Sequence, residues 1–555
     1  MENRSPSQVS FEAPGPGSWE LETAHMKGPI TPICANAITQ GLRRGFSEAT
    51  ARYGLVMDHL RMIPVEGFMY AQTVYFGDAE GPLSPTHPDM LRRVNTAERA
   101  LEGKWWREDL RRWDEEVKPA AIRTHHALQA VEPASLSTEE LAEYLRAIGE
   151  HLRDMTRVHH AFNIAHIFPV GDFLVHATQW TGKSPGELAR LLKGASAVSA
   201  QLATREPPAL VQALREDAAA RELLLSRTPA RRILDELVAM PGAVGEQMKA
   251  HLQHVGYRSL GYDLSDPYVL EVPEALVRGI RGAVAGRAPE DDSAEARHLE
   301  QVREAVPAVH RALFDELLAE ARLVYRLRDE RNTYSDGWAM GLTRRAVLAV
   351  GTRLQELGRL TDATLAIEAE LEELQGLLAG ASAPTSEELR RRFQWRTTKS
   401  HVDVPARLGA PPSPSPSLDW LPPAARRVNT AVTFYLGRMM EEPPAQTTRT
   451  SVRGLPVSPG IHEGTARIIR EQTDLGRIEA GDVLVAATTS PYFNVVLPLL
   501  GAIVTDRGGQ LCHAAIVTRE YGIPGIVGTR DATKLVRDGA RVRVNGTTGE
   551  LQVLA

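Results

Sequence analysis

Two cysteines in 555 residues, Cys34 and Cys512, are too few for a disulfide framework. No run of about 18 apolar residues occurs, so no bilayer-spanning helix is expected. The N-terminus lacks a basic segment followed by an apolar stretch, which points to a reducing, cytoplasmic setting. An excess of one charge is also missing. With 64 basic against 70 acidic side chains the net charge is -6, so no polyanion-binding surface is implied, and neither nucleic acid nor an anionic membrane is an expected partner. No period of 20 to 50 residues suggests a solenoid. The first 130 residues hold no glycine-rich phosphate loop followed by lysine, and no P-loop. No metal-ligand set is expected: helical metal pairs favour a spacing of four, and a third ligand is not evident.

What is present is length and apolar residues. An apolar fraction of 43% over 555 residues supports two to four domains with large cores. Residues 1–84 read as an irregular, loop-rich part, with Phe11-Glu12-Ala13-Pro14-Gly15-Pro16-Gly17 and Lys27-Gly28-Pro29-Ile30-Thr31-Pro32 unable to sit inside helices. Residues 85–398 read as one large helical domain. Ser137-Thr138-Glu139-Glu140 opens a helix as a capping box, followed by Leu141, Tyr144, Leu145, Ile148 and Leu152 on one face. Residues 399–450 read as a linker: Pro411-Pro412-Ser413-Pro414-Ser415-Pro416 is a stiff spacer, Trp420 to Glu442 an amphipathic helix, and Pro443-Pro444 a second break. Residues 451–555 read as a compact α/β domain, with strands through Gly464–Ile469, Gly481–Ala486, Gly501–Thr505 and Arg541–Gly546.

The densest chemical signal lies in that last domain, at Asp506-Arg507-Gly508-Gly509-Gln510-Leu511-Cys512-His513-Ala514-Ala515-Ile516-Val517-Thr518-Arg519-Glu520-Tyr521-Gly522-Ile523-Pro524. A glycine pair permits a sharp turn, and the Ala/Ile/Val run then opens a helix with His513 in its first turn. Free amides and the helix dipole favour an anion there, so His513 reads as a covalent phosphate carrier, with Gly508, Gly509 and Arg519 as phosphate-binding candidates. A histidine that merely caps a helix is the alternative.

This run resembles the phosphohistidine signature of the mobile domain of PEP-utilising enzymes, among them pyruvate phosphate dikinase, phosphoenolpyruvate synthase and rifampin phosphotransferase. The resemblance implies a swivelling β/β/α domain that takes a phosphoryl group at one site and delivers it at another. Such enzymes pair the domain with an ATP-grasp domain or a PEP-binding TIM barrel, and neither is recognisable here. The chain is therefore expected to work with a separate ATP-grasp protein, which would use ATP and Mg²⁺ to load His513 and release AMP and phosphate. A weaker likeness to the acceptor-binding region of rifampin phosphotransferase runs through Trp19, His25, Thr31-Pro32, Val65–Tyr70, Leu327–Trp338 and Leu342–Leu360. Where the plant-type dikinase pattern carries a regulatory threonine, this chain has Leu511, so control by phosphorylation there is excluded.

A small-molecule acceptor would need cations to steady the phosphoryl group and a base for the hydroxyl proton. The run from Arg153 to Asp172 supplies Arg157, His159, His160, His166 and Asp172, with His159 and His166 placed on one face of one helix; Arg331 is a further candidate. A polar seam in a helical bundle has the same composition, and a solvated helix end explains Arg328 to Asp336 equally well. Three functions stay open: a phosphotransferase subunit, an enzyme that phosphorylates its acceptor only to dehydrate or condense it, and a non-enzymatic phosphocarrier.

Overall fold

The computed structural model describes residues 10–23, 25–26, 28–78, 81–196, 208–285, 292–412, 414–439, 441, 446–470, 472–489, 493 and 496–554. Lys27, Ser413, Glu442, Pro443 and Pro444, which enter the loop and linker readings above, lie outside them. A large helical region and a C-terminal mixed-sheet α/β domain make up the molecule, as the sequence implies. Packing divides the chain into two compact units, which cut across the four sequence segments. One holds residues 1–165, 262–266 and 334–430; the other holds 166–261, 267–333 and 431–555.

In the first unit the N-terminal part is regular rather than loop-rich. Thr31 is extended and Pro32 occupies the first helical position, which starts the helix Pro32–Arg52. Met57–Val65 and Phe68–Tyr75 form a hairpin whose turn residues, Glu66 and Gly67, both have positive φ, as a tight hairpin requires. Ser18–Leu21 and Arg407–Gly409 extend it into a four-stranded antiparallel sheet over Trp19, Phe68, Tyr70 and Leu408. The helix Pro32–Arg52 lies directly against Thr138–Ala161. A side chain on Gly45 would begin 2.1 Å from the Arg157 carbonyl oxygen, so only glycine permits that approach. The capping box at Ser137 and Glu140 is present as expected.

In the second unit nine strands form one sheet among the described residues. Ile461–Ile469, Val483–Ala486, Ala502–Thr505 and Gly525–Val527 run parallel at its centre. The apolar runs of Val483–Ala486 and Ala502–Thr505 are unbroken up to the last residue because both faces are covered. Val483, Val485, Ala502 and Val504 face one cluster, while Leu484, Ala486 and Ile503 face another shared with Ala514, Ala515 and Val517. That second cluster extends to Leu234, Met248 and Ile280, so helices between residues 208 and 285 pack on the same core. Phe173 and Phe314, 5.7 Å apart, join two further helices of this unit.

Two helical readings change. The continuous helix assumed through residues 159 and 166 is broken at Phe162, where φ is -102° and ψ 9°: Thr138–Ala161 ends there and Asn163–Thr181 begins. His159 and His166 therefore share neither a helix nor a unit. The segment Arg328 to Asp336 is not a solvated helix end, since Asp329, Glu330 and Arg331 are all buried.

Candidate active site

The carboxyl ends of two neighbouring parallel strands place the central groups. Val483–Ala486 leads to Thr489, and Ala502–Thr505 leads through the glycine loop to the helix His513–Glu520. Loops at such strand ends are where open α/β sheets assemble ligand sites. Gly508 turns the loop with φ +106°, and Cys512 precedes the helix in an extended conformation. His513 is thereby fixed as the first helical residue, 6% exposed.

The two ring nitrogens of His513 have different surroundings. Nδ1 lies 3.1 Å from Thr489 Oγ1. Nε2 is buried with no hydrogen-bond partner among the described residues. Burial, and after it the positive charge of Arg328, lowers the His513 pKa to about 3, so the ring is neutral near pH 7. A neutral ring whose Nδ1–H is given to the threonine hydroxyl leaves a lone pair on Nε2. No described residue takes that lone pair, and the charge of Arg328 acts on the ring.

Arg328 belongs to the helix Leu327–Tyr334, is 15% exposed, and donates to Asp329 at 2.8 Å. Its charge acts on His513, Cys512, Tyr325 and Tyr435. Burial pushes the Cys512 thiol up, against Arg328, Arg519 and the amides of Ala514 and Ala515, so it is a packed thiol rather than a thiolate. Arg519, 4% exposed, donates through Nη1 to the carbonyls of Gln510 and Val457, while Nη2 is buried without a partner among the described residues. The amide of Gly509 donates to the Met439 carbonyl at 3.2 Å, and a side chain there would begin 2.2 Å from the Arg438 carbonyl oxygen. That glycine thus lets the linker helix Pro423–Met439 close on the loop.

The remaining expected residues divide between the units. His166, Asp172 and Arg331 are in the unit that carries His513. His166 packs edge-on to Tyr435 with ring centroids 5.7 Å apart, Arg331 acts on the same phenol, and Asp172 pairs with His176 at 3.3 Å. His159, His160 and Arg157 are in the other unit. There His159 Nδ1 meets Asp336 at 2.8 Å, His160 Nδ1 meets Asn163 at 3.0 Å, and Arg157 pairs with Asp154 and Glu48. Of the two arginines at 344 and 345, each donates to backbone carbonyls, Arg344 to Leu264 and Arg345 to Gln129. Among the described residues no three His, Cys, Asp or Glu side chains converge as metal ligands, and no helix is long and apolar enough to cross a membrane. The sequence reading missed Thr489 and Tyr435. A polar Thr488-Thr489 pair directly after a buried strand was the available signal for the first; the second had none beyond the amphipathic pattern of its helix.

Residues 478–549 match the family model of the PEP-utilising enzyme mobile domain, and this segment is a domain of that family. Among curated proteins, a rifampicin phosphotransferase of Bacillus cereus is 45% identical over 104 residues, covering 19% of this chain and 12% of the relative. The uncharacterized phosphotransferase YvkC of Bacillus subtilis is 31% identical over 232 residues, 41% of this chain and 26% of the relative. A rifampicin phosphotransferase of a Streptomyces species is 28% identical over 341 residues, 58% of this chain and 36% of the relative. The chain thus spans from about an eighth to about a third of the length of these relatives.

Proposed function

We propose that this chain is a phosphohistidine phosphotransferase subunit that carries a phosphoryl group on Nε2 of His513 and passes it to a small-molecule acceptor. The observation that carries this reading is the asymmetry of the ring: Nδ1 is engaged by Thr489, and Nε2 is buried with no partner among the described residues, while the charge of Arg328 acts on the ring. The names of these three relatives, each a phosphotransferase, support the reaction class.

The phosphoryl group would come from a separate ATP-grasp protein using ATP and Mg²⁺, with AMP and phosphate released. In the loading step the Nε2 lone pair forms the P–N bond as the bond to the leaving oxygen breaks. The ring keeps its Nδ1 proton, and Thr489 holds that hydrogen bond throughout. Arg328 neutralises charge on the equatorial oxygens, and Arg519 offers its free Nη2. In the transfer step an acceptor hydroxyl oxygen forms the new P–O bond as the P–N bond breaks, and the hydroxyl proton passes to a base. Of the acceptor-site candidates, His166, Asp172 and Arg331 fit best, since they share the carrier's unit. His159, His160 and Arg157 hold partners of their own in the other unit. A reducing, cytoplasmic location accords with two free cysteines.

Intact mass after incubation with Mg-ATP, alone and with an ATP-grasp protein from the same source, tests this. The wild type should gain about 80 Da in acid-labile form only with the partner, and His513→Ala should gain nothing. A gain retained in His513→Ala, or none with a partner shown to bind ATP, sinks the reading.

A further inference from the structure

Buried polar groups are nearly always hydrogen-bonded, so a cluster of exceptions marks a place built for something else. In the unit that carries His513 such atoms include His513 Nε2, Arg519 Nη2 and Tyr435 Oη, besides the acceptors Gln510 Oε1 and Glu441 Oε2. The first two belong to the motif of the mobile domain. Tyr435 comes from the linker helix Pro423–Met439, a segment with no assigned chemistry.

The phenol is held firmly. Tyr435 is 1% exposed. Its helix lies against Asn163–Thr181 at Gly171, where a side chain would begin 2.2 Å from the Ala431 carbonyl oxygen and 3.3 Å from Tyr435 Cβ. His166 packs edge-on to the ring, and Arg328 and Arg331 act on the phenol. Tyr435 lies one turn before Met439, whose carbonyl accepts from the Gly509 amide at 3.2 Å, so the helix that carries the phenol meets the glycine loop leading to His513. A guanidinium only donates, so neither arginine can take the phenolic hydrogen, whatever it gives to the oxygen. What Arg519 Nη2 and the phenolic hydrogen lack, among the described residues, is an acceptor-rich group. A phosphoryl group on Nε2 is such a group.

We propose that Tyr435 is a catalytic residue of the carrier site, its phenolic hydrogen donating to an oxygen of the phosphoryl group borne on His513 Nε2, next to Arg328. This rests on His513 being the carrier. The phenol is a hydrogen-bond donor and not a proton source: burial holds it in the protonated form, against the two arginines, and it keeps its proton while the P–N bond forms and breaks. The linker helix is then part of the site's wall, and the wall supplies a donor.

The full-length chain can be loaded without a partner by potassium phosphoramidate, whose P–N bond breaks as ammonia leaves and the imidazole takes the phosphoryl group. Loading at His513 is read as the acid-labile mass gain absent from His513→Ala. The second ionisation of the bound phosphoryl group is then titrated by ³¹P NMR in wild type, Tyr435→Phe and Arg328→Gln. A donor favours the dianion, so its removal raises the midpoint. Tyr435→Phe is expected to raise it by about 0.5 to 1 pH unit, the scale of one hydrogen bond, and Arg328→Gln by more. A purely structural tyrosine would leave the midpoint in place, and a loaded Tyr435→Phe chain that titrates with the wild type overturns the proposal. Absence of any phosphoryl group on wild-type His513 rejects the carrier reading itself, so the two failures are told apart.

Discussion

Each unit buries histidines, and the two settings differ in what surrounds the ring. In the first unit His125 is fully buried with both nitrogens taken: Nδ1 by His151 Nε2 at 3.0 Å, Nε2 by the Tyr334 carbonyl at 3.1 Å. Trp338 stacks on it at 4.8 Å, and nearby His159 meets the Asp336 carboxylate. In the second unit His513 has one nitrogen engaged and one open. Burial lowers the His151 pKa to about 4 while Asp154 works against it; at His513 burial and Arg328 push the same way, to about 3. Burial alone therefore does not mark a carrier. Nor does an open nitrogen beside positive charge, since His251 Nε2 is also buried without a partner among the described residues and burial and Arg258 lower its pKa to about 4. His513 differs in standing at the first position of a helix behind a glycine turn.

If the first set is structural, removing its wall should unfold rather than inactivate. Trp338→Ala is expected to cost about 3 to 5 kcal/mol in urea denaturation, as for other buried aromatics cut to alanine. Phosphoramidate labelling of His513 below the transition should be unchanged. A loss of labelling in the folded variant would erase the distinction.

Acid should break the second set. The unfolded His513 binds a proton near pH 6.5, whereas the folded one resists to about 3. Between those values the unfolded state holds more protons, so stability falls as pH is lowered through that window and the contribution is complete near pH 3. The loss assignable to His513 is about 5 kcal/mol at about 1.4 per pH unit. Guanidinium melts of wild type and His513→Ala across this range measure it, since His151 and His251 titrate alike in both chains. Parallel curves would mean that His513 takes a proton in the folded state as readily as in the unfolded one.

The contrast also explains what could be read from the sequence. His513 was legible because its glycines, its helix and its neighbours Cys512 and Arg519 are contiguous. The central strands were legible because sheets covered on both faces need unbroken apolar runs such as Val483–Ala486 and Ala502–Thr505. Thr489, Arg328 and Tyr435 were not legible as one site, since each arrives from a different segment and only packing joins them. The density of histidine between His159 and His166 misled for the same reason: the helix break at Phe162 involves neither proline nor glycine, so nothing local announced it. The N-terminal hairpin was hidden by a turn that places Glu66, a poor turn residue, at positive φ beside Gly67.

A smaller perturbation moves the wall of the proposed carrier site without replacing any of its residues. Gly171→Ala drives a methyl group against the Ala431 carbonyl and the Tyr435 Cβ. Overpacking of this kind costs about 1 to 3 kcal/mol, and displacement of Tyr435 should raise the titration midpoint of the loaded phosphoryl group in the direction of Tyr435→Phe. A Gly171→Ala chain that is destabilised yet titrates as wild type would show that the phosphoryl group does not depend on where the linker helix sits.

The finest test concerns one hydroxyl. Thr489→Val keeps the shape of a side chain that is 6% exposed and removes the partner of His513 Nδ1. The stability change is expected to be about 1 kcal/mol, the scale of a single neutral hydrogen bond. The larger consequence is chemical. With ¹⁵N-labelled histidine and His513→Ala to assign the signal, wild type near pH 7 should show Nδ1 protonated and Nε2 bare, the state that can attack phosphorus. Thr489→Val should mix the two tautomers and slow phosphoramidate labelling, and Thr489→Ser should restore both. If wild-type His513 instead carries its proton on Nε2, the threonine is a donor to Nδ1 and the ring must change tautomer before it can be loaded. The difference between His125 and His513 would then rest on Arg328 and the open nitrogen alone.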